Sequence, residues 1–129
     1  MTADERSVSR RVDKPWGHEL IWAHTDRYVG KILQINKGHA LSLQYHLQKD
    51  ETIFLQSGRM LFEYYQEGER PTVRELGPGE SFRIAPGLRH RMTAIEDCTV
   101  LEASTPELED VVRLEDRYDR APALSSRSR

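Results

Sequence analysis

Turn signals set the strongest limit on what this chain can fold into. They recur roughly every 6–12 residues through most of its length. Asn36-Lys37-Gly38, Ser57-Gly58, Glu67 to Pro71, Gly77-Pro78-Gly79 and Pro86-Gly87 each break the chain. The segments between them are too short for ordinary helices and are rich in β-branched and aromatic residues. They predict strands over residues 28–35, 40–46, 52–56, 59–66, 72–76, 81–84, 90–95 and 99–104. Ser57-Gly58 between two of these runs reads as the turn of a hairpin. In 40–46, Ser42, Gln44 and His46 alternate with Leu41, Leu43 and Tyr45, so the polar set takes one face and the apolar set the other. An apolar stripe opposite a polar face implies a cover, and a homodimer is the expectation. Only residues 107–118, with Leu108, Val111, Val112 and Leu114, are spaced for a helical turn or two. Many short strands with little helix argue for an all-β antiparallel barrel or sandwich.

The chain has 129 residues, enough for one domain with its own core. Residues 1–12 read as a flexible N-terminal arm, 13–120 as the domain, and 121–129 as a flexible tail of small, Pro, Ser and Arg residues. A net charge of −2, from 19 basic and 21 acidic side chains, lacks the basic excess of a nucleic-acid binder. No apolar run is long enough to cross a bilayer as a helix, and the N-terminus has no apolar centre of a secretory signal. The lone Cys98 excludes an internal disulfide and every multi-thiolate zinc site, which suits a reducing, cytoplasmic setting.

Four residues stand out once the strands are drawn. Gln44 and His46 share a face, Glu51 opens the following strand, and His90 follows the Pro86-Gly87 turn. Two imidazoles, a carboxylate and an amide oxygen suit a divalent first-row metal: zinc first, with manganese, iron, cobalt or nickel as alternatives. Four protein ligands would leave room for substrate.

The frame around these residues resembles the cupin family. Gly38, Gln44-x-His46, Glu51 and Gly58 keep every interval of its first motif. Gly79, Ala85-Pro86-Gly87, His90 and Ala94 keep those of the second. Gln44, Ala85 and Ala94 replace the usual His, Pro and Asn. Gln, His, Glu and His in that order is similar to the metal set of phosphomannose isomerases. Lys14-Pro15-Trp16-Gly17, Leu41-Ser42-Leu43-Gln44, Asp110 to Arg113 and Asp116 to Arg120 resemble the isomerase domain of bifunctional phosphomannose isomerase/GDP-mannose pyrophosphorylases. That domain usually carries a run of histidines where this chain has Tyr45-His46-Leu47-Gln48, so only one survives.

The resemblance implies a single-domain cupin, a small jelly-roll barrel with a short C-terminal helical turn. It further implies a metal held by Gln44, His46, Glu51 and His90, and isomerisation of a sugar or sugar phosphate through an enediol. Lys49 resembles the lysine that precedes the metal-binding Glu in related isomerases. Arg113, in the closing segment, is a second candidate to polarise or shuttle a proton. A phosphate needs basic side chains, and Lys14, Lys31, Arg83 and Arg91 are the candidates. The missing histidines keep two alternatives open. One is a non-catalytic sugar-binding or regulatory cupin. The other is a different metal-dependent cupin enzyme, an epimerase, cyclase or dioxygenase.

Overall fold

In the computed structural model, which describes residues 9–120, eleven strands form two antiparallel sheets. One sheet takes β1 (Arg10–Lys14), β2 (Gly17–His24), β3 (Val29–Ile35), β10 (Cys98–Ser104), β5 (Glu51–Ser57) and β8 (Ser81–Ile84), in that spatial order. The other takes β11 (Val112–Glu115), β4 (Leu43–Tyr45), β9 (Arg89–Ala94), β6 (Met60–Tyr65) and β7 (Thr72–Leu76). The strands from β3 to β10 lie where the runs between turn signals place them, within two or three residues at their ends, and β3, β5, β6, β9 and β10 show the alternation. Among the described residues no helix is long and apolar enough to cross a membrane.

Several expectations are corrected. Residues 107–118 form no helix. Val112–Glu115 is instead an edge strand paired with β4, with Val112 opposite Tyr45 and Arg113 opposite Gln44. Adjacent β-branched Val111 and Val112 favour extended chain, and β4 supplies the backbone partners that a helix would have supplied internally. Strands β5 and β6 do not form a hairpin, because they lie in different sheets. The Ser57-Gly58 turn carries the chain from one layer to the other. Gly58 sits there at φ 94°, and a Cβ would lie 2.2 Å from the Asp97 carbonyl oxygen. Strand β1 begins at Arg10, inside the segment read as an arm. The rest of that arm up to residue 8, and the tail 121–129, lie outside the described residues.

The expected apolar stripe of β4 is also not an outer face. Leu41 joins the core cluster, Leu43 is buried and Tyr45 is half-buried beside Val112. The isolated Ala40–Thr93 bridge and the unpaired step at residues 41–42 interrupt the alternation, so Leu41 turns inward. Leu41 and Leu43 are thus already buried within the single chain.

The two sheets close on a core of Leu33, Ile35, Ile53, Leu55, Met60, Phe62, Ile84, Met92 and Val100. Phe62 packs its ring 4.5 Å from that of Phe82. Removing so enclosed an aromatic costs about 3–5 kcal/mol. The inward rows of four strands change character along their length. Lys31 precedes Leu33 and Ile35 on β3, and Glu102 follows Cys98 and Val100 on the antiparallel β10. Glu51 precedes Ile53 and Leu55 on β5, and His90 precedes Met92 and Ala94 on β9. Register brings the polar residues to one end. Glu102 faces Lys31, Ser104 faces Glu51, and His90 lies between Gln44 and Tyr64.

Candidate metal centre

At the polar end, His46, Glu51 and His90 converge, each buried to 3% exposure or less. One donor atom from each lies within 4.8 Å of the others. His46 comes from the end of β4, Glu51 from the first position of β5, and His90 from β9 just after the Pro86-Gly87 turn. The Gly87 amide donates to the His46 carbonyl at 2.7 Å, which pins that turn beside the site.

The tautomers show what the cluster is built for. His46 Nδ1 lies 2.6 Å from the Asp110 carbonyl, and His90 Nδ1 lies 2.9 Å from the Leu88 carbonyl. Carbonyl oxygens only accept, so each Nδ1 carries the proton. Each Nε2 therefore faces inward, towards Glu51 Oε2: His46 Nε2 at a hydrogen-bonding 2.9 Å, and His90 Nε2, a lone pair, at 3.7 Å. Among the described residues, His90 Nε2 has no hydrogen-bond partner although it is buried. A buried lone pair aimed at a carboxylate is unfavourable unless a cation lies between them. The donor set thus fits a divalent metal, and backbone acceptors on both outer nitrogens are the support such ligands require.

Charge around the cluster is unevenly held. Burial would raise the Glu51 carboxyl, but the hydrogen bond with His46 and the Lys49 charge outweigh it and hold Glu51 well below the usual carboxylate range. Burial pushes His90 down to about 4, so its imidazole is neutral and free to ligate. Lys49 Nζ bridges Glu51 at 3.3 Å and Glu102 at 3.4 Å. Burial alone would lower the Lys49 ammonium, but those two carboxyls raise it above its ordinary value. Glu102 is pushed up to about 8, first by burial and then by the Glu51 charge.

Gln44 and Lys49 line a cavity of about 160 Å³ beside the cluster, together with His46, Lys31 and Arg113. The Gln44 amide oxygen accepts from the Ser42 hydroxyl at 2.6 Å. Arg113 projects from the edge strand β11, and its buried Nε has no partner. Of the four phosphate candidates, Lys14 and Lys31 reach this cavity. Arg83 is an exposed partner of Asp50, with contacts of 3.0 and 2.7 Å, and Arg91 pairs with Glu63 and Glu115 at 3.4 Å each.

Two working residues escaped sequence reasoning. Glu102 occupies the inward phase of β10 with Val100 and Ser104, and a charged side chain in that phase is a readable signal. Asp110 gave none. Its carboxylate accepts the backbone N–H groups of Leu47, Gln48 and Lys49 at 2.7–2.9 Å and so shapes the loop between two ligands. The three amide bonds outweigh burial and hold its carboxyl below the usual range.

Two antiparallel sheets closed around a polar pocket, with His, Glu and His converging at its end, define a cupin fold. Solved structures bear this out at low sequence identity. KdgF from Halomonas sp. superposes with a TM-score of 0.65 at 22% identity, over 76% of this chain and 88% of that one. The capsular polysaccharide assembling protein CapF from Staphylococcus aureus gives 0.73 at 16% identity, over 87% of this chain and 33% of that one. Oxalate decarboxylase from Bacillus subtilis, whose Mn(II) centres are on record, gives 0.72 at 14% identity, over 92% and 33%. In sequence, the chain is 31% identical over 121 residues to the mannose-1-phosphate guanylyltransferase ManC of Salmonella typhimurium. It is equally similar to the mannose-1-phosphate guanylyltransferase of Escherichia coli. The match covers 90% of this chain and 24% of either relative, so the chain spans about a quarter of their length. No family model matches the sequence.

Proposed function

We propose that this chain is a metal-dependent isomerase of sugars or sugar phosphates, exchanging aldose and ketose through an enediol. The observation that carries this reading is the pair of inward-facing histidine Nε2 atoms on Glu51, with the Lys49 ammonium 3.3 Å from the same carboxylate. His46, Glu51 and His90, with Gln44 as a fourth donor, would hold the ion, zinc before manganese, iron, cobalt or nickel. A divalent ion there supplies Lewis acidity to two adjacent sugar oxygens, where an enediolate concentrates charge. Lys49 holds a proton at Nζ and lines the cavity, so it is placed to neutralise an oxygen as charge develops. Similarity to mannose-1-phosphate guanylyltransferases adds weight to a phosphorylated hexose as the ligand class.

The same Lys49 geometry favours a second reading. Locked between Glu51 and Glu102, the ammonium is a poor base, and a cupin that binds a sugar without turning it over needs none. Proton NMR in deuterated water separates the two. The protein is loaded in turn with zinc, manganese, cobalt or nickel and mixed with mannose 6-phosphate or fructose 6-phosphate. Isomerisation predicts product, or deuterium at C1 or C2, that the Gln44→Ala, His46→Ala double variant loses. Absence of exchange in protein shown to contain metal refutes the isomerase reading for these sugars and leaves the binding one.

A further inference from the structure

The cavity is far more basic than the chain as a whole. Arg10, Lys14, Lys31, Lys49, Arg113 and Arg120 line it, against Glu19 and Glu109, in a protein whose net charge is −2. Three of these six cations are already committed. Lys31 pairs with Glu19 at 3.2 Å, and Lys49 is held by Glu51 and Glu102. Arg120 lays two of its nitrogens on the Asp116 carboxylate, Nε at 2.9 Å and Nη2 at 3.3 Å. Lys14 has only Glu19, at 3.9 Å. Arg113 forms no ion pair with any described residue, and its Nε is buried without a partner.

These uncommitted charges meet where the open edges of the two sheets come together. Lys14 is on β1, the outermost strand of one sheet, and Arg113 is on β11, the outermost strand of the other. Burial disfavours the charge on both, and each is lowered further by Arg120 nearby. Two half-buried cations packed beside a third are costly unless an anion joins them. Register then gives the distance to the metal centre. Arg113 lies opposite Gln44, and Gln44 lies opposite His90, so the three share one transverse row. Two strand spacings separate the backbones of Arg113 and His90, roughly 10 Å. That is the scale of an extended hexose, from its reducing end to a charged group on its last carbon.

We propose that Lys14 and Arg113, flanked by Arg120, form an oxyanion subsite that takes the terminal charged group of a sugar whose hydroxyls reach His46, Glu51 and His90. The shared chemistry is a tetrahedral or planar oxyanion, carried either by a sugar phosphate or by a sugar acid. A guanidinium fork beside an ammonium suits both. Arg113 is thus a binding residue and not a proton shuttle. The inference rests on the sugar-ligand reading of the site, yet the two fail separately.

The test is calorimetric titration of the metal-loaded full chain with fructose 6-phosphate, glucuronate, fructose and inorganic phosphate at low and high salt. At least one of the two charged sugars should bind tenfold or more tightly than fructose, and added salt should erode the difference. Arg113→Gln and Lys14→Gln should each weaken that charged sugar at least tenfold while metal content and fructose affinity stay at wild-type values. Whether fructose 6-phosphate or glucuronate suffers the larger loss identifies the oxyanion. Wild-type affinity for both charged sugars in both variants overturns the proposal. So does equal binding of fructose and the charged sugars, or no binding of any anion. Charge-dependent binding without proton exchange keeps the subsite and removes isomerisation. Exchange with an unchanged KM in Arg113→Gln does the reverse.

Discussion

His90 on β9 and Glu102 on β10 are both buried at the polar end of the core and are shifted in opposite directions, which gives the metal-free protein an unusual response to pH. His90 falls from 6.5 to about 4. Its neutral form contributes stability that is present above pH 6.5 and lost as pH falls towards 4. Glu102 rises from 4.5 to about 8. Its protonated form contributes stability that is present below pH 4.5 and lost as pH climbs towards 8. Between pH 4.5 and 6.5 both effects operate with opposite slopes, each about 1.4 kcal/mol per pH unit, or about 3 kcal/mol across the window. In the wild type they cancel. Glu102→Gln removes the acid, so its stability should rise by about 3 kcal/mol from pH 4.5 to 6.5. His90→Gln removes the base, so its stability should fall by a similar amount over the same range. Urea unfolding in the presence of chelator, followed by the fluorescence of buried Trp16, measures all three at pH 4.5, 5.5 and 6.5. Glu51 and Asp110 are shifted down, so both are ionised throughout the window in the folded protein, and their unfolded-state titration near its lower edge is common to all three proteins. A level profile in Glu102→Gln, or parallel slopes in the two variants, would refute the opposed burial of these groups.

Two further outcomes follow from the same geometry. Zinc or manganese at a thousandfold excess over its dissociation constant should add about 4 kcal/mol, seen as a rise in Tm of about 15 °C for a domain of this size, and His46→Ala should abolish it. Asp110→Ala strips the acceptor from three backbone amides of the 47–49 loop and should cost about 3 kcal/mol in urea unfolding, with weaker metal binding by titration because His46 and Glu51 flank that loop.

The strands with clean alternation were legible from the sequence because period-2 burial is a local pattern, and β3, β5, β6, β9 and β10 show it. Strands β1 and β2 were not. Pro15 interrupts them, and their exposed residues mask the inward phase of Glu19 and Ile21. Their hairpin depends on Gly17 lying against β3, where a Cβ would sit 1.9 Å from the Gln34 carbonyl oxygen, and no local rule encodes that approach. The helical spacing near the C-terminus misled because Leu108, Val111 and Leu114 satisfy a 3.6-residue period by chance, whereas strand pairing with β4 decides the outcome. His46, Glu51 and His90 were legible as a set through motif intervals. Their polarity was not, because it is written by the main chain of Asp110 and Leu88, and carbonyl positions leave no mark in a sequence.

The change of character along β3, β5, β9 and β10 has a consequence for how such a protein diversifies. Each of these strands anchors the barrel with one half and furnishes the polar end with the other, on the same face and two residues apart. A substitution at Lys31, Glu102 or His90 therefore rewrites chemistry while Leu33, Val100 and Met92, one pleat further on, keep the strand in register. New ligand preferences can be explored by single replacements at the polar end without renegotiating the architecture, since the apolar end stays a fixed foundation.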